Sequence, residues 1–230
     1  MKISLAVKYL WIIIVALMPS VLKRFVFRFL FKFEVGGNPR IGFSFFDVGH
    51  MKIGDDVRIG HFNLFIGTKE VEIGRGVDIG HFNLFRGGDR VSVGEGSKIQ
   101  RFNVINSIPD PVCTTHPTPV FEMGGEGFIS SGHRLDFTDS FTMGGKCIIG
   151  GRNSSFWTHN RFVTKPVQLG SSCVFLSEVR CAPGTVIPNR SIVAMGAVVV
   201  HAFSEEGTVI GGVPAKVIKK IGKDEELMIA

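Results

Sequence analysis

The sequence predicts an all-β solenoid preceded by a non-repetitive segment, and three observations carry that prediction. The stretch IGDDVRIGHFNLF (53–65) returns as IGRGVDIGHFNLF (73–85) and, blurred, as VGEGSKIQRFNVI (93–105), each copy twenty residues after the last. Inside each copy an aliphatic residue or Phe recurs every six: Ile53, Ile59, Phe65; Ile73, Ile79, Phe85; Val93, Ile99, Ile105. The chain also holds 29 Gly and 21 Phe against one Tyr, a turn-rich and β-rich balance. A period of six matches neither a helix nor simple alternation, so each hexad reads as one face of a coil, with three faces and a corner insertion per turn. The first residue of a hexad points inward and a Gly or small polar residue follows it. The fifth (Val57, Asn63, Val77, Asn83) points inward again. One turn cannot bury such a row alone. Stacking turns about 4.8 Å apart pairs the backbone with the next turn and buries a continuous column.

At the N-terminus, the apolar run YLWIIIVALM (9–18) is stopped by Pro19 and followed by VLKRFVFRFLFKF (21–33). In that second piece Leu22, Phe25, Val26, Phe29, Leu30 and Phe33 fall at helical spacing, and Lys23, Arg24, Arg28 and Lys32 occupy the other sides. The pattern predicts a basic amphipathic helix lying on an anionic membrane. The ten-residue run is short for a transmembrane span. A signal peptide is the competing reading, weakened by the lack of a small-x-small cleavage site. A helix packed on the protein's own body is another. Of the net charge of +6, all is accounted for by residues 1–40, where seven Lys or Arg face Glu34 alone. The body is therefore balanced, which argues against nucleic-acid binding.

Val35 and Ile41 open the first coil. The proline-rich stretch 109–121 interrupts the hexads, which resume at Met123, Ile129 and Leu135 and then at Met143, Ile149 and Ser155. A second excursion spans 160–166. Beyond it the period tightens to eighteen: Leu169, Phe175, Cys181, then Ile187, Val193, Val199. The tail GGVPAKVIKKI predicts a short helix starting at Pro214, with Val217, Ile218 and Ile221 as its apolar face, capping the open end of the stack. The expected organisation is a membrane-associated segment over 1–33, the solenoid over 34–212 and a C-terminal helix and tail over 213–230. The four cysteines (Cys113, Cys147, Cys173, Cys181) show no CxxC spacing and read as reduced thiols of a cytoplasmic protein.

From His159 onward the order TH, short loop, PVQLGSS, APG, SIVAMGAVVV, GGVPAKVIKKI resembles the hexapeptide-repeat acyltransferases. Upstream, IGFSFFDV, the GHFNLF repeats and GHRLDFTDS look like their surface-polysaccharide-associated acetyltransferase subgroup. The resemblance implies a left-handed parallel β-helix, a homotrimer, and acetyl-CoA bound along a groove between coils as cosubstrate. It implies His159 as general base, since a neutral imidazole can take the proton of an attacking hydroxyl. His133 and Asp136 fall on a second signature, where they would orient the acceptor or share the base role. Asp139, twenty residues before His159, would sit one coil below and hold its tautomer. The donor contacts map onto Ser177, Met195, Gly196, Ala197, Lys216 and Lys219. Met195, Val200 and His201 depart from the family pattern.

The resulting expectation is transfer of acetyl to a sugar hydroxyl of a surface-polysaccharide precursor, at the inner face of the cell membrane. Two other classes compete with it. One is a non-catalytic, membrane-docked scaffold of a glycan-assembly complex. The other is a metal-dependent lyase of the γ-carbonic anhydrase type, invited by His61 and His81 stacked twenty apart. Arg101 occupies the third position, so no metal is expected.

Overall fold

The computed structural model describes residues 5–108, 118–223 and 226. Its body is a parallel β-solenoid of three sheets, two of eight strands and one of ten. The first sheet runs from Glu34–Val35 to Val186–Ile187 and the third from Phe45–Asp47 to Val198–Val199. The second starts at Arg40–Ile41, reaches Ile192–Val193 and ends in Thr208–Gly212 and Ala215–Lys220.

The hexads set the register. Val71 lies opposite Val91 and Ile79 opposite Ile99, twenty residues apart, and Leu169 lies opposite Ile187, eighteen apart. The hexad positions from Ile53 to Val199 are buried as expected, with one exception. Phe156, not Ser155, fills the core of its turn, because the pairing Arg134↔Ser155 makes that turn one residue longer than twenty. Where a Gly follows an inward residue, as at Ile59–Gly60, it has a steric cause: a Cβ on Gly60 would lie 2.3 Å from the carbonyl oxygen of Gly80 in the next turn. The core column includes Phe65 and Phe85, with ring centroids 4.4 Å apart and planes 3° from parallel.

A second column is polar. The Oδ1 of Asn63 accepts from the backbone N–H of Asn83 (3.0 Å), and that of Asn83 accepts from the N–H of Asn103 (3.0 Å). Asn103 Oδ1 accepts in turn from the N–H of His133 (2.9 Å). These inward amides satisfy corner N–H groups that no sheet pairing reaches.

Two helices, α1 (Leu5–Leu17) and α2 (Ser20–Phe29), close the N-terminal end. Their inner faces, including Ile12, Val15, Val26 and Phe27, are buried, and Phe27 packs edge-on against Phe46 at 5.3 Å. Lys23 does not stand with the outward cations, as the helical pattern suggested. It is 1% exposed and its Nζ donates to the carbonyls of Ile41 (3.3 Å) and Gly42. Ser20 Oγ donates to Ile41 O at 3.0 Å and accepts from Ile41 N at 3.1 Å. Arg40–Ile41, the first strand of the second sheet, has no turn beneath it, and Ser20 and Lys23 satisfy its open edge. The outer faces remain apolar and exposed, at Leu10, Trp11, Leu17, Leu22, Phe25, Phe29 and Leu30 among others. Among the described residues, no helix is long and apolar enough to cross a membrane.

The C-terminal cap is a hairpin rather than the expected helix. Ala215–Lys220 turns back antiparallel on Thr208–Gly212, which pairs in parallel with Ile192–Val193. An unpaired sheet edge offers backbone partners all along the segment, and that outweighs the weak helical spacing of three apolar residues. The excursion expected over 109–121 falls largely outside the described residues, and the strand Val120–Met123 resumes the coil.

Candidate active site

His159 follows Ser155–Phe156 of the third sheet, at the corner that leads into Val167–Leu169 of the first. The short loop after it is pinched at its base by an antiparallel bridge between His159 and Thr164. Asn160 Oδ1 holds its turn by accepting from the N–H groups of Phe162 (2.8 Å) and Val163 (2.9 Å).

Beneath the imidazole lies Asp136, fully buried. Its Oδ2 accepts from Thr158 N (3.0 Å), from Thr158 Oγ1 (2.5 Å) and from His159 Nδ1 (2.9 Å). Its Oδ1 accepts from Thr138 Oγ1 at 2.8 Å. Four donors thus fix one carboxylate, whose acceptor-only chemistry places the His159 proton on Nδ1. Nε2 is left with its lone pair and no partner among the described residues. The His159 side chain is 14% exposed and lines an open groove with Trp157, Asn160, Arg161, Ala182 and Pro183. The Arg134 guanidinium lies over the Trp157 ring, 4.9 Å from its centroid.

Asp139 does not hold the imidazole. Its carboxylate caps the N–H of Ser140 (2.7 Å), and only its backbone N–H reaches the cluster, donating to Thr158 Oγ1 at 3.0 Å. The turn through Phe156 is one residue longer than the twenty that would have set Asp139 in line with His159, and it is the Asp136 carboxylate, 23 residues before His159, that meets the imidazole. Thr138 and Thr158, which complete the carboxylate's shell, carry no sequence signal apart from lying beside it in that register.

His133 is closed off. It is 1% exposed, its Nδ1 accepts from Ser154 N (3.2 Å), and its Nε2 lies 2.9 Å from Ser130 Oγ. The imidazole continues the column of Asn63, Asn83 and Asn103, with Nδ1 in the role of an amide oxygen. Burial pushes its pKa down to about 4.

The residues mapped to donor contacts gather at another corner, between the second and third sheets. Gly196 N donates to Ser177 O at 3.0 Å, Met195 stands 66% exposed above Ser177, and Ala197 is buried behind them. Lys216 and Lys219 are exposed on the terminal strand, opposite Gly211 and Val209. Within one chain, this corner and the His159 corner are separate edges of the prism.

His61 and His81 stack with planes 10° apart, but each Nδ1 accepts a backbone N–H, from Phe43 (3.2 Å) and His61 (3.0 Å). No group of three or more His, Cys, Asp or Glu placed to hold a metal occurs among the described residues.

Among solved structures, the chain is similar to UDP-N-acetylglucosamine acyltransferase from Campylobacter jejuni, with a TM-score of 0.64 and 15% identity over 84% of this chain and 75% of that one. The chain has the fold of the hexapeptide-repeat acyltransferases. A second acyltransferase of this fold, LpxA from Acinetobacter baumannii, matches at a TM-score of 0.55 with 12% identity, over 81% of this chain and 69% of that one. No protein-family model and no curated protein sequence matches the chain.

Proposed function

We propose that the protein is an O-acetyltransferase that moves acetyl from acetyl-CoA to a sugar hydroxyl of a surface-polysaccharide precursor. The observation that carries this reading is the Asp136–His159 pair, a buried carboxylate that fixes an imidazole tautomer at an open groove. His159 Nε2 takes the proton of the acceptor hydroxyl as its oxygen attacks the thioester carbonyl. The tetrahedral intermediate collapses with expulsion of the CoA thiolate, and the imidazolium returns its proton to that sulfur. Asp136 stabilises the imidazolium meanwhile and keeps the ring aimed.

Ser177, Met195, Gly196 and Ala197 receive the pantetheine arm, and Lys216 and Lys219 meet the nucleotide phosphates. Because that corner is not the His159 corner, the reading requires neighbouring copies, as in a trimer, to bring them together. The outer faces of α1 and α2, with Arg24 and Arg28 among their apolar residues and Lys32 just beyond α2, dock the enzyme on the anionic inner face of the cell membrane.

His159→Ala is expected to fold, to bind acetyl-CoA with unchanged affinity in calorimetry, and to lose roughly 10²–10⁴ in kcat with a glycan acceptor. Folded His159→Ala with near wild-type turnover would remove the reading.

A further inference from the structure

The first three turns carry an arrangement that the acyl-transfer reading does not use. Arg40 and Arg58 lie directly opposite each other on neighbouring strands of the second sheet, and both are exposed. Like charges so placed are destabilising. Neither guanidinium has an acidic or hydrogen-bonding partner among the described residues. They line a groove of about 400 Å³ whose corner is formed by His61 and His81 and whose lower wall is Met18 to Ser20, where α1 turns into α2. Since both His Nδ1 atoms accept backbone N–H groups, each Nε2 carries a proton and is a donor. Asp78, in register after Arg58, is the one carboxylate in the lining. The wall is thus rich in N–H donors and positive charge, the complement of phosphoryl oxygens.

Met18 also belongs to a second cleft, of about 520 Å³, which runs between the two helices and is lined by Trp11, Ile12, Val15, Val26 and Leu30. An apolar cleft and a cationic groove that share one residue fit a molecule with a hydrocarbon chain and a phosphorylated head. We propose that this composite site binds a lipid phosphate, with the phosphoryl group between Arg40, Arg58 and the two His Nε2–H groups and the chain in the cleft between α1 and α2. The inference rests on the membrane-docking part of the proposed function and specifies the lipid that docking selects.

The test uses the full chain and its Arg40→Gln/Arg58→Gln variant, with inorganic pyrophosphate as a soluble probe and with vesicles of phosphatidylcholine mixed with either phosphatidylserine or phosphatidic acid. Wild type is expected to bind pyrophosphate, and the variant to bind it at least about tenfold more weakly, as loss of charge-assisted hydrogen bonds requires. Wild type should also prefer phosphatidic acid vesicles to phosphatidylserine vesicles, and the variant should bind the two alike. Absence of pyrophosphate binding, or equal binding by the variant, overturns the phosphoryl site even if vesicles still bind through the helices. Pyrophosphate binding lost in the variant, with neither vesicle bound by wild type, overturns the lipid as its source together with the docking reading.

Discussion

His133 and His159 lie in successive coils, at different corners, and are chemically opposite. His159 has one nitrogen on a buried carboxylate and the other free at a groove, whereas His133 has both nitrogens engaged inside the stack. The difference has a measurable sign. The unfolded chain takes up a proton at His133 near the ordinary value of 6.5, and the folded chain refuses it until about pH 4. Stability is therefore full above pH 6.5 and is lost as pH falls through 4, by up to about 3 kcal/mol. His133→Asn, which repeats the side chain of Asn63, Asn83 and Asn103, is expected to fold, to keep near wild-type kcat, and to flatten the dependence of denaturation midpoint on pH between 4 and 6.5. A steep pH dependence in that variant would assign the acid sensitivity elsewhere. A large fall in kcat would return His133 to the chemistry. At this scale the sequence was readable where one residue type repeats, because Ile, Val and Phe at every sixth place can only be a core. It misled at Ser154–Ser155–Phe156, where a turn longer by one residue leaves the period unbroken on paper. That residue takes Asp139 out of line with His159, and Asp136, 23 residues before it, meets the imidazole instead.

The elements at the two ends show a different limit. The tail's apolar residues suit a helix taken alone, and the choice of a strand comes from the open edge of the sheet beside them, which no local window contains. The same holds for Lys23, whose place on a basic helix face suggested lipid contact until the edge at Ile41 and Gly42 drew it inward. Burial lowers its pKa to about 8. Lys23→Ala should cost about 1–3 kcal/mol by leaving the Gly42 carbonyl without its side-chain donor, while Ile41 keeps that of Ser20, as measured by denaturant unfolding, whereas the same change at exposed Lys32 should cost little. Equal small effects would mean that water replaces the ammonium without loss. The outer face of α2 yields a separate expectation. Replacing Leu22, Phe25 and Phe29 by Ser removes apolar groups that the solenoid does not cover, so cosedimentation with anionic vesicles should fall while the unfolding midpoint stays within error. Unchanged cosedimentation would count against docking through this face.

At the scale of the whole molecule, the three-sided solenoid imposes a separation that no single residue reveals. Corners repeat along the stack, so residues spaced by one turn gather on one edge, and residues a third of a turn away are carried to another. The register shows that Ser177 and Met195 share a corner and that His159 lies on a different one. If both sets serve one reaction, the site is completed across copies, and closed rotational symmetry then repeats it at every interface. This can be tested by mixing two defective chains. His159→Ala removes the base and Gly196→Trp fills the donor corner, and each homogeneous protein should be inactive. In co-assembled oligomers of equal amounts, an interface is intact when it takes His159 from one chain type and Gly196 from the other in the right order, which happens in about a quarter of interfaces with random mixing. Recovery of about that share of wild-type turnover is the expected result, with acetyl-CoA binding sites recovered to the extent that Gly196 remains. If each site were built from one chain, no chain in the mixture would be whole and turnover would stay at background, which would overturn the shared site.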